Sequence, residues 1–182
     1  MKSLHPREVP VVRDLPPNLM GEIGRVIFYH SYVEWRLDLI IYDILRTTKV
    51  LNSLVSKDIR AIDQFDIICD LISLRNDKTD VDLIDLRKSL LLASTQRDLL
   101  AHGAWVKDPK TNAYVLYVSG GNSKPVKGKK AQDKRSIRSS APQYGIEECR
   151  LLSELINGII LTIDELYSDT LGEAALSRPE LH

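Results

Sequence analysis

Residues 18–47, NLMGEIGRVIFYHSYVEWRLDLIIYDILRT, decide the fold. Leu19, Ile23, Val26, His30, Val33, Leu37, Ile40 and Ile44 recur at alternating steps of four and three, which sets them on one face of a long helix. Ile27, Glu34 and Ile41 run beside that face at steps of seven. An apolar face of this length must be covered, and other helices are the natural cover. Its most apolar part, Leu37 to Leu45, is interrupted by Asp38, Tyr42 and Asp43, so the segment does not read as a membrane span.

Three further helices follow from the same reasoning. Ser56 is placed to cap a second helix over 57–75 that carries Ile59, Ile62, Phe65, Cys69 and Ile72, and Arg75-Asn76 reads as its terminus. Thr79 or Asp80 then caps a third from Asp80 to His102, with Leu83, Leu86, Leu90, Ala93, Arg97 and Leu100 along its apolar face and Gly103 as its stop. The period changes at 104–118, where two short β-branched and aromatic runs flank a DPKTN turn and predict a hairpin. Residues 119–142 are rich in Gly, Ser and Lys and show no periodicity. A fourth helix over 146–170 carries Cys149, Leu152, Ile156, Ile159, Ile163 and Leu166.

These elements predict a mainly all-α chain: an antiparallel four-helix bundle with a β-hairpin and a basic loop inserted between helices three and four. The expected domain spans 18–170. An extended arm precedes it over 1–17, where four prolines disfavour regular structure and Pro16-Pro17 suits the entry into a helix, and a tail follows over 171–182.

Composition narrows the class. A chain of 182 residues with 43% hydrophobic and 27% charged residues can bury one real core, and is neither disordered nor membrane-embedded in character. The arm has no continuous apolar stretch of the secretory kind, so the expectation is a soluble, cytoplasmic protein with no membrane partner. Cys69 and Cys149 each fall in an apolar helical stretch without a CxxC partner and read as small buried hydrophobes, not metal or redox ligands. No P-loop, dinucleotide-binding, zinc-protease or nucleophile-elbow motif occurs, so no cofactor and no metal are expected.

The net charge of zero hides a segregation. Lys124, Lys127, Lys129, Lys130, Lys134, Arg135 and Arg138 stand against Asp133 alone in the 119–142 loop, giving it +6 and leaving −6 on the rest of the chain. A cationic loop on an acidic body suits attraction of a nucleic-acid backbone, and it equally suits a solvated insertion. No aromatic residue interleaves these lysines, so the loop itself offers no stacking to bases.

The polar residues that break apolar seams carry the chemical information. Arg97 lies on the seam of the third helix, where an unpaired guanidinium would be costly, so it needs an anion or a wet cleft. Glu34 poses the converse problem between Ile27 and Ile41; it reads as a buried carboxylate with Arg97 as its best cation. Asp98 and His102 share a face at i,i+4, whereas Arg97 and His102 stand about 140° and 7.5 Å apart on an ideal helix. An architectural reading also fits, with Arg97 and Glu34 locking two helices and His102 on the C-terminal dipole. His30, also on a seam, reads as a satisfied core histidine.

Arg97-Asp98-Leu99-Leu100-Ala101-His102 resembles the R-φ-x3-H signature of the HEPN (higher eukaryotes and prokaryotes nucleotide-binding) superfamily, with Asp98 in the polar position after the arginine. The order of elements over 18–170 agrees, including an acidic residue inside the first helix at Val33-Glu34-Trp35 and a hairpin that begins at Gly103-Ala104-Trp105. Six residues carry the chemical part of the resemblance. It implies a homodimer in which motifs from two protomers share a cleft, and metal-independent endoribonuclease activity of the sort found in bacterial toxin–antitoxin and phage-defence systems. RNA is then the implied substrate, and an antitoxin or other protein the implied partner. Arg97, Asp98 and His102 are the implied catalytic set, with Glu34 supporting them. The family also includes catalytically inactive members that act as protein-interaction or nucleotide-binding modules, and this remains the alternative.

The chemistry suits those residue types. Metal-independent RNA cleavage needs a base for the 2′-hydroxyl, an acid for the leaving 5′-oxygen and positive charge on the phosphorane. A histidine supplies the proton transfers, an arginine holds phosphate oxygens, and Asp98 can fix the tautomer of His102.

Overall fold

The computed structural model describes Val12 and residues 14–46, 59–107, 113–117 and 145–172. Among the described residues four helices dominate: α1 (Pro17–Leu45), α2 (Ala61–Arg75), α3 (Leu83–His102) and α4 (Ile146–Leu171), with strands β1 (Ala104–Lys107) and β2 (Tyr114–Tyr117) between α3 and α4. The expected Ser56 cap, the 108–112 turn, the 119–142 loop with all seven of its cations, and residues 173–182 of the tail lie outside the described residues.

The seam residues meet as the periodicity requires. Val26, Leu37 and Ile40 of α1, Phe65 and Ile68 of α2, and Ile156, Ile163 and Leu166 of α4 are completely enclosed, and Leu90 of α3 nearly so. Burying a side chain of this size contributes roughly 1.5–3 kcal/mol, which makes this shared core the main favourable term for the fold.

Helix ends follow local chemistry. Pro16 precedes α1 and Pro17 opens it, where a missing N–H costs nothing. α2 begins at Ala61, later than expected, after an extended Arg60 whose guanidinium takes both oxygens of Asp63. It ends at Asn76, which adopts a left-handed backbone, and the Asn76 and Asp77 N–H groups return to Ser73 and Ile72 carbonyls at 3.2 and 3.1 Å. The cap of α3 is Asp82, neither Thr79 nor Asp80: its carboxylate accepts from the Ile84 and Asp85 N–H groups at 3.0 Å. Thr79 Oγ1 and the Asp80 N–H instead donate to Asp169 at the end of α4.

The antiparallel expectation is corrected for the largest packing pair. Glu22 meets Arg150, Arg36 meets Asp164 and Asp43 meets Tyr167, so positions on α1 and α4 rise together and the two helices run parallel. Short connections enforce antiparallel packing only between helices adjacent in sequence, and α1 and α4 are separated by the rest of the fold. Arg36, itself buried, also lies 5.2 Å from the centre of the Tyr167 ring.

β1 and β2 pair antiparallel with Trp105 opposite Leu116 and Val106 opposite Val115. Trp105 and Leu116 enter the core, and the Val12 N–H of the arm donates to the Trp105 carbonyl at 2.8 Å. Gly103 turns the chain from α3 into β1. Its φ of −76° suits any residue, so the stop is not a left-handed one. Space is the constraint: a Cβ there would fall 2.6 Å from both Leu116 Cδ1 and the Leu99 carbonyl oxygen.

Candidate functional site

Glu34 and His30 stand one turn apart on α1; Ser94, Arg97 and Asp98 stand on α3, and the facing sides of the two helices bring them together. His30 is 3% exposed and is held on one side by Ser94, with Nε2 3.0 Å from Oγ. Its Nδ1 faces Glu34 Oε1 at 3.4 Å, a contact short of a hydrogen bond. Glu34 Oε1 in turn lies 3.9 Å from Arg97 Nη2, and Arg97 Nη1 donates to Asp98 Oδ1 at 2.8 Å. The Nε of Arg97 is enclosed and has no hydrogen-bond partner among the described residues.

Exposure corrects one expectation. The Glu34 side chain is 36% exposed and that of Arg97 24%, so the pair borders solvent where the sequence suggested a sealed carboxylate. The reason is position: α1 and α3 present these residues at the rim of their contact, beside the enclosed His30.

Burial sets the protonation states. Desolvation pushes the His30 pKa down to about 4, helped by the positive charge of Arg97 and opposed by Asp98. The imidazole is therefore neutral at neutral pH. Burial also raises the Glu34 carboxyl above its ordinary value, Arg97 pulling it down and Asp98 pushing it further up. One guanidinium thus sits between two carboxylates at the edge of the core.

His102 is the last residue of α3 and is exposed, apart from that cluster. Asp98 lies one turn before it, but its carboxylate accepts from Arg97, and among the described residues no hydrogen bond joins it to His102. Ile84, Leu91, Asp98 and His102 lie at steps of seven, seven and four, hence on one side of α3, and all four are exposed. The structure brings Glu34, Arg97 and Asp98 together and leaves His102, expected to share a hydrogen bond with Asp98, outside the group; Ser94 was not foreseen. The available signal was its i,i+3 spacing to Arg97, matching the i,i+4 spacing of His30 to Glu34, which becomes meaningful only when α1 and α3 are set face to face.

The thiols stay outside this chemistry. Cys149 is buried, and desolvation drives its pKa up to about 11; the Cys69 thiol is raised for the same reason. Among the described residues no group of three metal-ligating side chains is found, and no helix is long and apolar enough to cross a membrane. Comparison of the chain with family models, with curated proteins and with solved structures gave no match.

Proposed function

We propose that the chain is a HEPN-like, metal-independent endoribonuclease of a bacterial or phage toxin or defence system, working as a homodimer with Arg97 and His102 contributed by each protomer. The observation that carries this reading is the state of α3's last two turns. A guanidinium is held in place by carboxylates while keeping solvent access, and an exposed histidine follows on the same helix. Arg97 binds non-bridging phosphate oxygens and stabilises the phosphorane. One histidine takes the 2′-hydroxyl proton as that oxygen attacks phosphorus. The other protonates the departing 5′-oxygen, leaving a 2′,3′-cyclic phosphate. Two protomers supply the two histidines.

Exposed apolar residues on α3 and α1 support a second copy as partner. Ile84 and Leu91 share the side of α3 that carries His102, and Phe28, Tyr32 and Trp35 form an exposed stripe at i,i+4,i+7 along α1. The 119–142 cations would gather the RNA backbone.

One observation favours a second reading, that of a catalytically inactive interaction or nucleotide-binding module. Both Glu34 and Asp98 occupy Arg97, so a phosphate must displace or outcompete them. Incubating the purified chain with structured and single-stranded RNAs in EDTA separates the readings. The ribonuclease reading expects cyclic-phosphate ends, and intact RNA across the panel would leave the module.

A further inference from the structure

Ser94, His30 and Glu34 stand in the order of a nucleophile, a base and an orienting acid, but their setting excludes that use. Ser94 lies inside α3, where the N–H groups that follow it are spent in helix hydrogen bonds. Those N–H groups are not free to receive an oxyanion beside its hydroxyl, and Arg97, one turn further on, already pairs with two carboxylates. The contacts lead instead toward Arg97: Ser94 Oγ to His30 Nε2 at 3.0 Å, His30 Nδ1 to Glu34 Oε1 at 3.4 Å, and Glu34 Oε1 to Arg97 Nη2 at 3.9 Å.

We propose that Ser94 and His30 are positioning residues for Arg97: the Ser94 hydroxyl donates to Nε2 of a neutral His30, and the Nδ1–H of the same ring, 3.4 Å from Glu34 Oε1, attracts the carboxylate toward the place where it steers the guanidinium. The tautomer follows from the geometry. With Glu34 ionised, a lone pair on Nδ1 would face a negative oxygen, whereas an N–H there is attracted to it. Nε2 is then an acceptor, and the serine is its donor. The depressed pKa of His30 keeps the ring neutral, as this arrangement requires. The ring is also enclosed on α1, so it transmits position from one helix to the other without being able to swing away.

The link to activity rests on the ribonuclease reading; the link to geometry does not. The test uses the full chain and three readouts. Imidazole nitrogen shifts at neutral pH should show His30 as the Nδ1–H tautomer in the parent protein. Relaxation of the Arg97 Nε–H should show an ordered side chain in the parent and in Ser94→Thr, which keeps the hydroxyl. In Ser94→Ala and His30→Asn it should become mobile. RNA cleavage by Ser94→Ala should fall about ten- to a hundredfold in kcat with KM nearly unchanged, and Ser94→Thr should recover it, since a misplacement near 1 Å costs on that order. An Nε2–H tautomer in the parent, or an Arg97 equally ordered in Ser94→Ala, would overturn the proposal. Absence of RNA cleavage by the parent would remove the ribonuclease reading alone, because the two spectroscopic readouts still decide whether Ser94 and His30 position Arg97.

Discussion

Arg97 and Glu34 face each other between α3 and α1 with Nη2 3.9 Å from Oε1, the outer edge of ion-pair distance, while both remain partly open to solvent. That separation sets what the pair is worth. A sealed ion pair that loses one member costs roughly 3–5 kcal/mol, but a pair open to solvent is screened and worth about 1 kcal/mol or less. Glu34→Ala should accordingly lower the unfolding free energy by about 1 kcal/mol in urea denaturation, with Arg97 relaxing toward Asp98. A loss near 4 kcal/mol would show the carboxylate to be structurally sealed.

His30 predicts the acid limb of stability. Its pKa in the folded chain, about 4, lies below the ordinary histidine value of 6.5, so between these values the unfolded chain binds more protons than the native one. Stability from this residue is fully present above pH 6.5 and is lost as pH falls toward 4, by up to about 3 kcal/mol. Glu34 acts with the opposite sign, because its raised pKa makes the native state hold a proton that the unfolded state releases. The parent should therefore lose stability on acidification from 6.5 to 4, and His30→Asn should show a flatter profile over that window. Equal slopes for both would mean that the ring is not desolvated in the folded protein.

Gly103→Ala tests the junction between α3 and the strands. The backbone there accepts alanine, yet the new Cβ would meet Leu116 Cδ1 and the Leu99 carbonyl oxygen at 2.6 Å. Overpacking of this kind typically costs about 1–3 kcal/mol, which for a chain this size lowers the melting temperature by several degrees. Shortening Leu116 should not restore the loss, because the Leu99 carbonyl stays in place. A double variant Gly103→Ala, Leu116→Ala as stable as the Leu116→Ala parent would locate the clash in the leucine alone.

The long helices were legible because their seams repeat without interruption: Leu19 through Ile44 and Cys149 through Leu166 name α1 and α4 almost residue for residue. The start of α3 was not, since Thr79, Asp80 and Asp82 are all competent caps and the choice is made by Asp169, ninety residues further on in the fold. The parallel packing of α1 and α4 was hidden for a similar reason. Periodicity fixes which face is apolar but not the direction in which a sequence-distant partner runs. Arg97 with Glu34 could be foreseen because each breaks an apolar seam and each needs the other's charge. Ser94 breaks no rule of composition, and only the crossing of α1 over α3 gives it a role.

The cations of 119–142 make a prediction that rests on charge alone. Replacing Lys127, Lys129 and Lys130 by Gln should weaken RNA binding and reduce the dependence of affinity on salt, since each phosphate contact releases counterions. If affinity and salt slope stay as they were, these cations take no part in holding RNA.

The functional reading stands on the contrast between Arg97 and His102. His102 is exposed at the end of α3, and truncating it opens no core, so His102→Ala should leave the melting temperature and the oligomeric state nearly unchanged while abolishing the RNA cleavage that the ribonuclease proposal expects in EDTA. Arg97 is three-quarters covered and sits between two carboxylates, so Arg97→Ala should abolish that cleavage and also cost stability, by about 1 kcal/mol for the lost, partly exposed pair. Arg97→Lys keeps the charge but loses the planar fork that grips two phosphate oxygens, and should recover stability without recovering activity. An architectural role predicts another pattern: Arg97→Ala destabilises, His102→Ala changes nothing, and neither the parent nor any variant cuts RNA. Light scattering belongs beside the assay, since a composite site requires twice the chain mass at micromolar concentration, and a strict monomer would leave one histidine to serve as both acid and base. Cleavage that persists in His102→Ala at the parental rate would place the chemistry elsewhere and end the mechanism proposed for this helix terminus.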